Sequence, residues 1–209
     1  MFIKQPVLLL LSLIILPVAI AQDNNNVQNE FSDIPVGHFV VKNPALLEDN
    51  EARLIYQKIS GDMASRYNLS KLPQIKNYQR LKSMVSNVYL ATAHGNRYHN
   101  IFVNNLGHNY ARYLKAGFMP KGTKVFKDSF TVNENGDVFP GTLAVMEKMA
   151  PGFNPQSGDW RFSMIMPDGS VFGILKGEDS DKVEFCVECH VKVKQYDYLH
   201  FPPEKYQIR

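Results

Sequence analysis

The sequence is poor in cysteine and tryptophan, carries no strong excess of either charge, and has one pronounced hydrophobic run. Two cysteines and one tryptophan occur in 209 residues, and 23 basic residues against 20 acidic ones give a formal net charge of +3. A structural zinc site normally needs four protein ligands, and the chain has no second cysteine pair to complete one. The net charge is too small to indicate nucleic acid or an acidic surface as a partner.

The hydrophobic run lies at the amino terminus. Lys4 precedes an apolar stretch from Val7 to Ile15 that only Ser12 interrupts, and the small-x-small sequence Ala19-Ile20-Ala21 follows it. This order is typical of a secretory signal peptide, so residues 1–21 are predicted to be removed on export to the periplasm. An uncleaved membrane anchor is the alternative, but the stretch is short for a spanning helix.

Both cysteines lie in one motif, Cys186-Val187-Glu188-Cys189-His190. The C-x-x-C-H pattern is the signature of covalent c-type haem attachment. One helical turn separates the two thiols, so both can reach the same porphyrin edge and each can add to one vinyl group. The histidine is then placed to bind the iron as the proximal ligand. The sequence therefore predicts one covalent haem c held by Cys186 and Cys189, with His190 on the iron.

Two other uses of a C-x-x-C pair fit the sequence less well. A disulfide between the two cysteines would close a very short ring, which is strained and easily reduced. A thioredoxin-like redox pair needs a strand before the motif and a βαβ unit around it, and no such unit follows here.

The rest of the chain divides by composition. Residues 22–36 are polar and Asn-rich and are predicted to be a disordered linker. Residues 37–74 are predicted to be an N-terminal helical extension, with an amphipathic helix over 44–67 that starts at Asn43-Pro44. A shorter helix is predicted over 75–86, inside a haem domain that spans 75–209.

The haem domain reads mainly as strands punctuated by turn residues. Strands are predicted at His99–Asn104, Lys124–Val132, Leu143–Met149, Trp160–Met166 and Val171–Leu175, the last two joined by a Pro-Asp-Gly hairpin turn. Helices are predicted at Asn109–Ala116 and at Glu184–Lys194, which carries the haem motif. The fold class is therefore α+β: a mainly antiparallel sheet with flanking helices, a C-terminal haem-binding helix and the N-terminal helical extension.

Four segments in order resemble the cytochrome P460 family, which also includes the β-sheet cytochromes c′ (cytochrome c′-beta). They are Ile101 to Asn104 with the helix after it, the F-P-x-G-T-x-x-x-K element at Phe118 to Lys127, the G-F-x-P-x-x-G-D-W turn at Gly152 to Trp160, and the C-x-x-C-H ending from Cys186 to Phe201. The likeness covers about residues 75–205.

The resemblance implies a homodimer with one c-type haem whose iron is five-coordinate, with an open face for a small ligand. In cytochromes P460 proper a lysine is also bonded to the porphyrin, and the resemblance assigns that candidate role to Lys127. Hydroxylamine oxidation in the family also implies a carboxylate over the distal face, where this chain has Ala144. Glu147 is the nearest acid, but its odd offset places it on the other face of a regular strand.

The function implied is that of an exported monohaem cytochrome that binds or oxidises small nitrogen species, namely hydroxylamine or nitric oxide. If the protein catalyses a reaction, a redox partner cytochrome is expected. No nucleic-acid partner is expected. The alternatives are a periplasmic electron-transfer cytochrome c with six-coordinate haem, a non-catalytic nitric-oxide-binding cytochrome c′-beta, and a peroxidase-like protein with His99 as the distal acid–base group.

Two further groups of residues are candidates for contacts with the haem. Arg97 and Arg161 are candidates for pairing with the propionates, because a guanidinium matches a carboxylate. A sixth iron ligand would come from the methionines and histidines of the haem domain: Met119, Met146, Met149, Met164, Met166, His94, His99, His108 or His200. Most methionines pack in cores without binding metal, so no single member of this set is singled out.

Overall fold

An antiparallel sheet dominates the part of the chain that the computed structural model describes, residues 40–208. Its eight strands in that range are β1 (Lys82–Ser83), β2 (Tyr89–Ala91), β3 (Arg97–Val103), β4 (Lys124–Val132), β5 (Val138–Pro140), β6 (Leu143–Lys148), β7 (Trp160–Ile165) and β8 (Val171–Ile174). The order across the sheet is β1-β3-β4-β6-β7-β8, with β2 also pairing with β3 and β5 with β4. The predicted α+β class with a mainly antiparallel sheet is confirmed.

The predicted signal peptide (1–21) and linker (22–36) lie outside the described residues. Residues 40–208 belong to a single compact unit. Within this range, no helix is both long enough and apolar enough to cross a membrane.

Alternation along the strands gives the sheet two different apolar faces. On β4, Val125 packs into one buried cluster and Phe126 packs into the other. On β7, Trp160, Phe162 and Met164 all join the cluster of Val125. We call the side of Val125 the cavity face, because the site described below lies there, and the side of Phe126 the helix face.

The N-terminal helix α1 (Asp49–Tyr67) packs on the helix face. Ala52, Met63 and Tyr67 are fully buried in the same cluster as Phe126. The helix therefore covers the side of the sheet that lies away from the cavity.

A buried carboxylate connects α1 to the sheet. The hydroxyls of Tyr56 on α1 and of Tyr78 both donate to Oδ2 of Asp128 on β4, at 2.9 and 2.8 Å. The Asp128 side chain is fully buried, and burial raises its pKa to about 6 despite these two hydrogen bonds.

The helix begins at Asp49, so the predicted start at residue 44 is wrong. The residues before it are held in extended form by Tyr98, whose hydroxyl accepts from the Leu47 N–H at 2.6 Å and donates to the Ala45 carbonyl at 3.1 Å. Glu48 then caps the helix, and the Glu51 carboxylate accepts the Glu48 N–H at 3.0 Å.

The predicted helix over 75–86 is also wrong. Two 3-10 turns, Pro73–Ile75 and Tyr78–Arg80, are separated by Asn77 in the left-handed conformation (φ 59°), and strand β1 follows. The Met84 N–H donates to the carbonyl of Ile101 at 2.8 Å, so sheet pairing replaces the helix.

The segment predicted as a helix at Asn109–Ala116 is a kinked run of 3-10 turns, Asn105–Lys115. The kink is at Tyr113, whose φ of 52° is unusual for a non-glycine residue. Its hydroxyl accepts from the backbone N–H of Ile208, a contact at 2.5 Å that holds the C-terminal segment against this run.

The helix α2 (Glu184–His190) carries the C-x-x-C-H motif on the cavity face. The predicted helix extended to Lys194, but after His190 the chain continues as 3-10 turns over Val191–Tyr196, broken at Val193. Val193 has a non-helical backbone conformation (φ −119°, ψ 30°), so the predicted helix does not continue to Lys194.

Candidate functional site

Strand pairing aligns four side chains in one row across the cavity face. Lys127 on β4 pairs with Ile101 on β3 and with Ala144 on β6, and Ala144 pairs with Met164 on β7. Paired residues share a face of a sheet, so the register alone places Lys127 on the cavity side. The face of Lys127, which the sequence could not assign, is fixed by these pairings.

Beneath this row lies a cavity closed on the other side by α2 and the segment after it. Its wall is largely apolar and includes Val125, Met146, Met164, Phe162, Phe185 and Leu199. The wall also carries polar side chains: Arg97, Lys127, Cys186, Tyr110, Thr142, Ser163 and the histidines 94, 99, 190 and 200. None of the described residues that line it is acidic, so its charge is positive.

His190 is held in a defined orientation. It is buried, and its Nδ1 lies 2.6 Å from the carbonyl oxygen of Tyr198. A carbonyl only accepts, so Nδ1 carries the proton and Nε2 is the nitrogen with the lone pair. This is the arrangement that histidines bound to a metal through Nε2 normally have.

The carbonyl that holds His190 is itself fixed by Asp197. The Asp197 carboxylate is buried; it accepts the Met119 N–H at 2.8 Å and forms an ion pair with Lys148 at 2.5 Å. The Asp197 carbonyl accepts from Trp160 Nε1 at 2.8 Å. The residues next to Asp197 give no sign of this structural role, because it depends on contacts with residues far away in the chain.

The two cysteines are both half-buried on α2 and are not joined to each other in a disulfide. Cys186 lines the cavity, and burial together with the neighbouring Cys189 raises the pKa of its thiol to about 12. Cys189 lies close enough to Lys127 to interact with it electrostatically. The motif and Lys127 are thus brought together, although 58 or more residues separate them in the sequence.

Lys127 is set deep in the cavity wall. Its Nζ lies 3.3 Å from Nδ1 of His94. Burial lowers the pKa of this lysine to about 8, while the nearby Cys189 opposes the shift. A sizeable fraction of the amine is therefore unprotonated just above neutral pH, which is the form that can bond to carbon.

Of the candidate arginines, Arg97 lines the cavity and Arg161 does not, and Glu147 also lies outside the described lining. Arg97 is buried in the cavity wall, and desolvation lowers its pKa to about 10, so it keeps its charge. Arg161 instead forms an ion pair with Glu147, which also approaches Lys124 at 3.7 Å. Arg161 and Glu147 are both absent from the described cavity lining, as the strand parity of Glu147 predicts.

The candidate iron ligands also divide into those that line the cavity and those that do not. His94, His99, Met146, Met164 and His200 line the cavity. The remaining four candidates are not in its described lining: Met119, Met149, Met166 and His108.

The donor set and the wall fit a haem. The Cys186 thiol lines the same cavity as the imidazole of His190, whose Nδ1 proton is already committed. The Cys189 thiol, one helical turn further along α2, interacts electrostatically with Lys127 of the cavity wall. The wall is apolar, as a porphyrin ring requires, and its two cations, Lys127 and Arg97, suit a ring that carries two carboxylates. When bound there through Cys186, Cys189 and His190, such a group would supply an iron centre for ligand binding or electron transfer.

Comparison with known families agrees with the site. The family model of cytochrome P460 matches residues 75–201, more than half of the chain. The chain belongs to the cytochrome P460 family. It is accordingly a c-type haem cytochrome, and the matched range contains the whole sheet, α2 and the segment that holds His190. No curated protein matches this cytochrome P460 family member.

Proposed function

We propose that this protein is an exported monohaem cytochrome that binds small nitrogen species, nitric oxide or hydroxylamine, at a five-coordinate iron. One haem c would be held by Cys186 and Cys189, with His190 as the proximal ligand. The observation that carries the proposal is the position of Lys127 inside the same cavity as Cys186 and His190. Lys127 is the candidate for a covalent bond to the porphyrin, as in cytochromes P460 proper.

The chemistry of the cavity wall supports ligand binding more strongly than turnover. Hydroxylamine oxidation releases protons, and a carboxylate over the open face would accept them. Ala144 stands opposite Lys127 on the neighbouring strand, and Glu147 is paired with Arg161 away from the cavity. Reversible binding, as in cytochrome c′-beta, needs no such acid. Oxidation remains the activity to test if Lys127 is bonded to the haem.

Electron transfer with a six-coordinate haem is the second candidate. Met146 and Met164 line the cavity from adjacent strands, and a methionine opposite His190 is the usual ligand set of electron-carrying cytochromes c. Such a protein would exchange electrons with a partner cytochrome and would bind nitric oxide poorly.

Two features of the proposal concern the whole molecule. Export to the periplasm, with removal of residues 1–21, would bring the chain to the compartment where c-type haem is attached. A homodimer is proposed from the family alone, and equilibrium sedimentation of the purified protein would test it.

An optical spectrum of the purified ferrous protein distinguishes these proposals. A red-shifted Soret band indicates a lysine bonded to the porphyrin, and an ordinary high-spin spectrum indicates a cytochrome c′-like binder. Sharp low-spin α and β bands would contradict the open iron and favour the electron carrier.

Mass spectrometry of the haem peptide tests Lys127 directly. After proteolysis, the peptide with Cys186 and Cys189 should carry the Lys127 peptide through the haem, and Lys127→Leu should remove it. Lys124→Leu is the matched control, because Lys124 lies on the same strand but approaches Glu147 instead. A haem peptide without Lys127 in the unmutated protein would exclude the bond.

A further inference from the structure

Tyr110 is the tyrosine in the described lining of the cavity. Its side chain is buried, and its ring packs against Phe201 with 5.0 Å between the ring centroids. Its hydroxyl donates to the carbonyl oxygen of His200 at 3.0 Å. The wall therefore contains one fixed phenol ring that a group bound in the cavity would contact.

A second tyrosine, Tyr89, lies next to the same wall. It pairs on β2 with His99 of β3, which lines the cavity, so its side chain is on the cavity face. Tyr89 is buried in the same apolar cluster as Tyr110, and the two phenols are close enough to interact electrostatically. Tyr89 is therefore the next aromatic ring outward from Tyr110.

A third tyrosine, Tyr206, continues the series to the surface. Its ring is stacked on that of Tyr89, with centroids 5.3 Å apart and planes inclined at 23°. The Ser86 N–H donates to the Tyr206 carbonyl at 2.9 Å and holds the C-terminal segment in place. Tyr206 is partly exposed, and its hydroxyl donates to Oδ1 of Asp49 at 2.8 Å. We call Tyr110, Tyr89 and Tyr206 the tyrosine route, because together they connect the cavity wall to the surface.

The hydrogen-bond partners decide where an oxidised phenol of this route would remain. A phenol that loses an electron becomes a strong acid, so its proton needs a base at hydrogen-bond distance. Tyr110 faces a carbonyl oxygen, which is too weak a base, whereas Tyr206 faces the carboxylate of Asp49.

The surroundings of Tyr206 allow its proton to leave. Asp49 is half-exposed, so it can pass a proton on to water. Lys205 lies over the Tyr206 ring at 5.1 Å, and a cation there opposes the loss of an electron. This ammonium is exposed and paired with Asp49, so water and the carboxylate reduce its effect. The oxidised state therefore remains on Tyr206, at the surface.

We infer that the tyrosine route carries an electron from a reductant at the surface to a haem that hydrogen peroxide oxidises in the cavity. This rests on the proposed function, because peroxide must reach an open iron. Peroxide takes up two electrons and two protons and forms two water molecules. One electron comes from the haem and the other from the Tyr206 phenol, whose proton passes to Asp49. One-electron reductants such as ascorbate then return both electrons, one to Tyr206 and one through it to the haem.

The test locates the tyrosine radical. Ferric protein is mixed with hydrogen peroxide and a nitroso spin trap, and mass spectrometry after proteolysis identifies the labelled tyrosine, which should be Tyr206. Tyr89→Phe keeps a ring in the stack but removes the oxidisable phenol, so it should lower the labelling of Tyr206 several-fold. Tyr56→Phe is the matched control, because Tyr56 is also partly exposed and donates to a carboxylate, but on the helix face; it should change nothing.

Two further measurements accompany the labelling. The change in the Soret band on adding peroxide should be the same in Tyr89→Phe and in the unmutated protein, since the reaction at the iron comes first. Tyr206→Phe should keep this change and slow the peroxide-dependent oxidation of ascorbate several-fold.

Three outcomes would overturn the inference, and they are distinguishable. A Soret band that peroxide does not change would reject the open iron of the proposed function as well. A Soret change with the label on Tyr56 or Tyr78 would make Asp128 the proton acceptor and would leave the proposed function standing. Labelling of Tyr206 that is unaffected by Tyr89→Phe, or equalled by that of the partly exposed Tyr196, would show that the stacked rings do not direct the electron.

Discussion

The Nδ1 atom of His190 and the carbonyl oxygen of Tyr198 are 2.6 Å apart, a short hydrogen bond between a helix and the turn that follows it. The turn contains two successive left-handed residues, Asp197 (φ 54°) and Tyr198 (φ 63°), which costs free energy unless the surroundings enforce it. The contacts of Asp197 with Lys148, Met119 and Trp160 provide that enforcement. The orientation of the His190 ring is therefore set by contacts with the sheet and not by the C-x-x-C-H motif alone.

A substitution beneath Tyr198 should disturb His190 without touching it. A Cβ at Gly158 would lie 2.2 Å from Cε2 of the Tyr198 ring, so Gly158→Ala must displace Tyr198. Gly136→Ala is the control, because Gly136 also has a positive φ (84°) but no atom within 4 Å of an added Cβ. We expect Gly158→Ala to lower the free energy of unfolding by about 1–3 kcal/mol more than Gly136→Ala. It should also shift the iron–histidine vibration, and equal effects of the two variants would contradict the account.

The ion pair between Asp197 and Lys148 should contribute more to the free energy of unfolding than an ion pair at the surface. Asp197→Asn removes the buried carboxylate that neutralises the partly buried Lys148, and we expect a loss of about 3 kcal/mol in the free energy of unfolding. Asp62→Asn, which breaks the exposed pair with Arg66, should cost less than about 1 kcal/mol. Urea denaturation of both variants measures the difference. A small effect of Asp197→Asn would show that the turn does not need this anchor.

Asp128 predicts a pH dependence of stability. Its pKa is raised from 3.8 to about 6 in the folded chain, so the folded state keeps a proton over this range that the unfolded state releases. The contribution to the free energy of unfolding is therefore greatest below about pH 4 and falls by about 2–3 kcal/mol as the pH rises to about 6. Above that it is constant. Urea denaturation from pH 4 to pH 7 should show a shallower decline in Asp128→Asn, and identical pH profiles would refute the assignment.

Replacing His190 should show that covalent attachment of the haem through the cysteines is independent of iron binding by this histidine. His190→Ala leaves both cysteines in place, so a haem-stained band should remain in a denaturing gel while the spectrum of the native protein changes. Added imidazole should restore much of the original spectrum by filling the position below the iron. A variant with the original spectrum before imidazole is added would show that another group binds the iron.

The parts of the fold that the sequence predicts best are those decided by neighbouring residues. The strand-like run between turn residues, predicted at Lys124–Val132, has the same bounds as β4 in the structure. The parity of Glu147 relative to Ala144 is enough to place this acid outside the cavity, where it pairs with Arg161. The haem motif is also local, since three residues within five positions define it.

The parts that the sequence predicts poorly depend on partners far along the chain. Residues 75–86 have the apolar spacing of a short helix, but pairing of Met84 with Ile101 makes the segment extended. The contacts of Asp197, and that of His94 with Lys127, require the sheet to be assembled before they exist. Nothing in the residues around His94 indicates that Val41, 53 positions away, helps to hold its turn.

The mass of the exported protein tests the central claim most directly. Produced in a host with cytochrome maturation machinery, the purified chain should carry the added mass of one haem under denaturing conditions. The double variant Cys186→Ala with Cys189→Ala should have the mass of the bare polypeptide and no haem stain. A colourless unmutated protein with the bare polypeptide mass, or a haem that survives in the double variant, would contradict attachment through this motif.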